Sequence, residues 1–189
     1  HRAEDIDDNY NYSIYDTVGS DVRGHDGQKA GEIHDIMVNK DTGKAVAVII
    51  DTDGTYRDRD LSALTFEKVL KQEADGDVQL SVVESEVSKS RPFDYSTIDQ
   101  TKYISLRHLR GGQLLDDKGK VAGQVDAIIY RNAEVQNIYF KLRPALTGTR
   151  KPVVIMLPHD DVNITASSDG YDVQLTAEQT KALAAELYY

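Results

Sequence analysis

The ten residues from Asp51 to Asp60, in the order DTDGTYRDRD, hold the densest set of oxygen ligands in the chain. Asp51 and Asp53 lie two apart, so on a strand their carboxylates project from one face. With Asp58 they could offer hard oxygen ligands to calcium. The stretch departs from a calcium-binding loop in two ways: its glycine, Gly54, comes fourth instead of sixth, and no Glu closes it. Arg57 and Arg59 would repel a cation or pair with the Asp side chains. The cluster therefore reads first as a solvated, self-paired run of charges, with a calcium site at Asp51, Asp53 and Asp58 as the alternative.

Other chemistries find less support. The chain has no cysteine, which excludes a thiol nucleophile, and no G-x-S-x-G, which a serine nucleophile on a tight elbow would need. None of the five histidines (His1, His25, His34, His108, His159) falls in H-E-x-x-H or in a close pair, so a zinc site has no local basis. His34 reads as a rim residue of a strand, and His159, before Asp160 and Asp161, as part of a solvated turn. Gly24, Gly27 and Gly31 do not form G-x-G-x-x-G and introduce a hairpin, where a phosphate loop would open a helix. No catalytic residue and no cofactor are expected.

Recognition of a partner is the remaining possibility. Residues 1 to 16, HRAEDIDDNYNYSIYD, hold five acidic side chains against Arg2, a composition that predicts an extended arm. Tyr10, Tyr12, Ile14 and Tyr15 make its end sticky and strand-like. Ordering sixteen residues costs about 1–2 kcal/mol each in backbone entropy. Only well-buried apolar side chains, at about 1.5–3 kcal/mol each, could repay it. The expectation is that these four side chains bind another subunit, by adding a strand to an open sheet edge, and that trimming residues 1 to 13 would leave the melt of the body nearly unchanged.

The elements behind these residues come in two copies. GQKAGEIHDIM at Gly27 to Met37 recurs as GKVAGQVDAII at Gly119 to Ile129, an offset of 92 residues. Gly27 pairs with Gly119, Ala30 with Ala122, Gly31 with Gly123, Ile33 with Val125 and Ile36 with Ile128. A fixed offset of this kind marks a duplicated unit. In each copy a glycine turn leads into an apolar run, and a second turn (Asp41 to Gly43; Asn132 to Glu134) leads into another (Ala45 to Ile50; Val135 to Leu142), which makes a hairpin. Thr65 to Gln72 has helical spacing at Phe66, Val69 and Leu70 but is expected as a strand before the turn at Asp75 to Asp77. Glu84 to Thr101 lacks periodicity and reads as a linker pinned by Phe93 and Tyr95. Thr176 to Leu187 carries a helix signature, with Thr176 as N-cap and Ala182, Leu183 and Leu187 on one stripe.

VGSDVRGHDGQKAGEIHDIMVNKDTGKAVAVIID resembles the opening of a PRC-barrel domain, the small β-barrel module of photosynthetic reaction-centre H subunits and ribosome maturation factors. LRGGQLLDDKGKVAGQVDAIIYRNAEVQNIYFKL is similar to the same opening. The resemblance runs over residues 14 to 93 and 103 to 185. It implies a mainly β chain of two tandem small barrels with a short C-terminal helix, and a binding or scaffold role with no catalytic residues to carry over. One departure stands out: where the second copy has Val153 to Pro158, the first has Thr55 to Asp60, which should be the more exposed.

Composition sets the outer limits. The 189 residues suffice for two cores of about 80 residues each. No apolar run approaches the ~20 residues of a membrane-spanning helix. A net charge of -10 disfavours nucleic-acid binding, which relies on clustered Lys and Arg, and so counts against a ribosome-associated role. The missing cysteines and the start at His1 suggest an exported, periplasmic or extracellular chain. Expected boundaries are an arm at 1–16, a first barrel at 17–88, a linker at 89–102 and a second barrel with its helix at 103–189. The expected function is a non-enzymatic, self-associating structural or interaction protein, in filament form if the contact repeats head to tail. The alternative is a soluble carrier of calcium or a small ligand using residues 51 to 60.

Overall fold

The computed structural model describes residues 11–52, 61–90, 92–144, 153–168 and 170–187. The first unit holds β2 (Asp21–Arg23), β3 (Lys29–Asn39), β4 (Ala45–Asp51), β5 (Leu61–Thr65), β6 (Val69–Gln72) and β7 (Val78–Leu80), in the spatial order β5-β4-β3-β2-β7-β6. The second holds β9 (Gln113–Leu115), β10 (Val121–Arg131), β11 (Glu134–Leu142), β12 (Val154–Pro158), β13 (Asn163–Ser167) and β14 (Gly170–Gln174), in the order β12-β11-β10-β9-β14-β13. Strand for strand the orders are the same, and the parallel pair β2/β7 has its counterpart in β9/β14. The chain is mainly β, as expected. Each set of ladders follows an open path; β5 and β6 are joined through a 3-10 turn at Phe66–Lys68.

The repeat extends to the irregularities. The long hairpin of the first unit slips register between Ile33 and Asp35 and again between Met37 and Val38. That of the second slips between Val125 and Ala127 and between Ile129 and Tyr130, each 92 residues on. Such bulges bend the strand and re-aim its side chains. Gly31 and Gly123 are required where the hairpin closes on itself, since a Cβ at either would run into a facing carbonyl oxygen, that of Asp51 or of Lys141.

One feature differs from two barrels in tandem. β1 (Tyr12–Ser13) leaves the first unit and pairs with β10, with Tyr12 opposite Tyr130 and Ser13 opposite Ile129. β8 (Tyr103–Ser105), which opens the second unit, pairs with β3, with Ile104 opposite Val38 and Ser105 opposite Met37. Adding 92 to Tyr12 and Ser13 gives Ile104 and Ser105, and taking 92 from Tyr130 and Ile129 gives Val38 and Met37. The two units have exchanged their first strands about a pseudo-twofold axis. Each strand runs into one helical turn, α1 (Ile14–Thr17) and α3 (Leu106–Leu109), capped by the hydroxyls of Ser13 and Ser105.

The exchange merges the cores. Tyr12, Ile14, Ile104 and Leu106 are buried in one continuous apolar cluster that runs through both units, in place of the two separate cores expected. Residues 11 to 17 are thus no detached arm. They fill a slot in the second unit, because Tyr12 and Ile14 hide more apolar surface there than any exposed position allows.

Other expectations are corrected in detail. Thr65 to Gln72 is a 3-10 turn followed by β6, since Phe66 turns inward. The linker contains α2 (Glu84–Ser88) and a 3-10 turn at Tyr95–Thr97. The sheet position of β12 is taken in the first unit by β5; residues 55–60, expected to be the more exposed, lie outside the described residues. β12 itself is an edge strand, and its Val154 and Met156 are exposed. The C-terminal helix α4 (Ala177–Leu187) forms as expected. Gln179 N–H donates to Thr176 Oγ1 (3.1 Å) and Thr176 N–H to Gln179 Oε1 (2.9 Å), a reciprocal capping box.

Candidate functional site at the junction of the two units

Two polar clusters and one cleft lie where the units cross. The first cluster surrounds Asp35, a carboxylate with no exposed surface, on β3 just after its first bulge. Its Oδ1 accepts from the backbone N–H of Ile36 (2.7 Å) and of Arg107 (2.9 Å). Its Oδ2 accepts from the Tyr95 hydroxyl (2.8 Å) and from the Ser105 hydroxyl. Ser105 Oγ in turn accepts from His108 N–H (3.1 Å), and Ser105 N–H donates to the Tyr171 hydroxyl (3.1 Å). One side chain thereby ties β3, the linker and α3 together, and Ser105 extends the tie to β14.

Burial pushes Asp35 above the usual carboxylate range, against the opposing bonds from Ser105, Arg107 N–H, Tyr95 and Ile36. Burial first, and then the Asp35 charge, raises the Tyr95 hydroxyl well above its ordinary value. The raised Asp35 value has a pH signature. The folded chain binds this proton more readily than the unfolded chain, so the contribution is fully present below the unfolded value of about 3.9. It is lost as pH rises from there through the folded value. In urea melts at a series of acidic pH values, the stability of the native chain relative to Asp35→Asn should fall across that window and level off above it. A difference that does not change with pH would refute the shift.

The second cluster is centred on Tyr130 of β10. Its ring stacks on Tyr12 at 5.5 Å between centroids. Thr17 Oγ1 donates to the Ser13 carbonyl (2.9 Å), which leaves Tyr130 as donor in the 2.7 Å bond between the two hydroxyls. Gln72 Nε2 donates to Tyr130 (2.8 Å), and the Tyr12 hydroxyl donates to the Gln72 carbonyl (2.9 Å). Burial raises the Tyr130 hydroxyl well above its usual range. Tyr130 thus bonds to Thr17 and to Gln72 of the first unit, and Tyr12 of the exchanged strand to Gln72, an arrangement that holds the two sheets in one relative position.

Between α1 and α3 opens a cleft of about 540 Å³ lined by Ile14, Tyr15, Val18, Arg107 and Arg110. Tyr15 is 62% exposed, and the Arg110 guanidinium lies 4.4 Å from the centre of its ring. Arg107 Nη1 donates to the His34 carbonyl (3.2 Å) and Arg110 Nε to the Asp126 carbonyl (3.3 Å). Burial, and then the nearby Arg107 charge, holds the His34 imidazole below its ordinary value, so it stays neutral at pH 7.

The residues singled out in the sequence are distributed as follows. Tyr12 and Ile14 are buried inside the chain and are not available to a partner, whereas Tyr15 faces solvent at the cleft; Tyr10 lies outside the described residues. Asp51 is half-buried at the end of β4, opposite Glu32 and Leu61. Asp53 and Asp58 lie outside the described residues, among which no three His, Asp or Glu side chains gather to hold a cation. His34 is half-buried on β3. His159 does not lie in a solvated turn. It is buried, with its Nε2 3.0 Å from the Lys40 carbonyl of the other unit and its ring packed on Gly43.

Sequence reasoning missed Asp35, Arg107 and Arg110. A signal existed for the first: Asp35 falls on the apolar face of β3, between Ile33 and Ile36, where the second copy has Ala127. Arg107 and Arg110 look like an ordinary charged turn, and only the exchange sets them opposite Tyr15.

A comparison with known families matches the PRC-barrel domain to residues 11–79, from the exchanged strand through β7. No curated protein matches the chain. Among solved structures, a protein from Pseudomonas aeruginosa assigned as a 16S ribosomal RNA processing protein, RimM, aligns at 13% identity with a TM-score of 0.27, over 78% of this chain and 99% of that one. The periplasmic or extracellular location expected from composition finds no support in these comparisons. No described helix is long and apolar enough to cross a membrane. Residues 11–79, which take in the exchanged strand and most of the first unit, match the PRC-barrel domain, and the second unit repeats the same strand order and the same bulges.

Proposed function

We propose that the chain is a non-enzymatic interaction scaffold whose partner-binding face is the cleft between α1 and α3. The observation that carries this reading is a contrast in how side chains are used. Asp35 and Tyr130 are buried and Tyr95 is half-buried, and their side-chain hydrogen bonds go to partners within the chain, as a structural lock requires. Tyr15, Arg107 and Arg110 are exposed on a rigid frame, and Tyr and Arg are the residue types that anchor protein interfaces. The net charge of -10 argues against a nucleic-acid partner. Tyr12 and Ile14 are buried within the chain, so among the described residues expected to bind a partner Tyr15 is the one exposed, and it lies at the cleft.

The test compares immobilised native chain with the double variant Arg107→Glu/Arg110→Glu, incubated with lysate of the source cells and read by quantitative mass spectrometry. A defined set of proteins should be retained by the native chain and depleted on the variant, with both melting at the same temperature. Equal capture by the two would remove the cleft from the binding face.

A further inference from the structure

The cleft lies on the pseudo-twofold axis, and its two walls are the same positions of the two copies. Tyr15 and Val18, at and just beyond α1, stand 92 residues before Arg107 and Arg110, at and just beyond α3. The copies have diverged here. The first wall is aromatic and aliphatic, with Ile14 beneath it; the second carries two guanidinium groups. Arg107 spends one N–H donor on the His34 carbonyl of β3 and Arg110 one on the Asp126 carbonyl of β10, and neither is ion-paired among the described residues, in a chain where acidic side chains outnumber basic ones by 32 to 22. A guanidinium has five N–H donors, so most of each fork remains available. Arg107 and Arg110 also line a second hollow of about 470 Å³ bounded by Tyr95, Tyr171 and Ser167. The site is therefore a groove with one apolar and one cationic wall.

Resting on the scaffold reading, we infer that this groove takes an extended acidic peptide segment in which apolar and carboxylate side chains alternate. In an extended chain successive side chains point to opposite sides. Laid along the groove, such a segment turns its apolar side chains to Tyr15, Ile14 and Val18 and its carboxylates to Arg107 and Arg110. Carboxylate meeting guanidinium in a bidentate pair is the strongest contact that two arginines can offer. A purely acidic chain would leave the Tyr15 wall unused, and a purely apolar one would leave the two cations desolvated without partners.

The test is fluorescence anisotropy of the full chain with a labelled, end-capped octapeptide of alternating Leu and Glu, at low and at physiological ionic strength. Saturable binding is expected, weaker at the higher salt. Arg107→Ala/Arg110→Ala and Tyr15→Ser should each weaken it by about tenfold, that is by about 1.4 kcal/mol. Two control peptides, alternating Leu and Gln and an all-Glu octamer, should bind at least about tenfold less tightly than the alternating Leu–Glu probe. The inference is overturned if the all-Glu peptide or single-stranded RNA binds as well as the alternating peptide, or if the variants bind it like the native chain. A peptide that does not bind, while lysate capture still depends on Arg107 and Arg110, ends this inference and leaves the scaffold standing. Loss of both ends the scaffold reading itself.

Discussion

Replacing Asp35 with Ala lowers the stability of the chain by about 3–5 kcal/mol, because it leaves several buried donors without an acceptor. Three donors from three different segments lose their acceptor at once: the Tyr95 hydroxyl, the Ser105 hydroxyl and the Arg107 N–H. An unsatisfied buried polar group costs about 1–3 kcal/mol, and no water has a ready path to a residue with zero exposure. For a chain of this size the loss should appear as a fall of about 6–20 °C in Tm, at about 2–4 °C per kcal/mol. Asp35→Asn keeps one acceptor oxygen and should lose less. A melt of Asp35→Ala within about 2 °C of native would show that the carboxylate is not the lock described here.

Deleting residues 1–13 destabilises the second unit, although every deleted residue precedes the first. The deletion removes the β1 ladder with β10, the Ser13 cap of α1, the stack of Tyr12 on Tyr130, and the acceptor that orients Thr17 toward Tyr130. Loss of a buried aromatic side chain alone costs about 3–5 kcal/mol, and the deletion should cost at least that much. Tyr12→Ala isolates the aromatic share and should account for most of it. Because the apolar cluster is continuous across both units, the transition in urea should stay single and shift as a whole. If trimming left the urea midpoint unchanged, as the reading of residues 1–16 as an outlying arm expects, the exchange of first strands would be wrong.

Much of the architecture is legible in the sequence by itself. The offset of 92 residues, the paired glycines and the two apolar runs of each hairpin sufficed to predict a duplicated, mainly β chain of PRC-barrel type, because turn chemistry and strand periodicity are local properties. Local chemistry likewise sufficed for the capping box at Thr176 and Gln179. The tertiary structure alone decided which sheet each first strand joins. Tyr12 and Ile14 announce an apolar strand, but nothing in a run of seven residues says whether its slot lies 26 or 118 residues away; packing of the whole chain selects β10. The same long-range choice sets Asp35 against Ser105 and Arg107, and Tyr15 against Arg110, pairs 70 to 95 residues apart. The amino-acid types of the cleft were therefore visible from the start. Their convergence was not, because it depends on a pseudo-twofold axis that exists only after both copies have folded and exchanged.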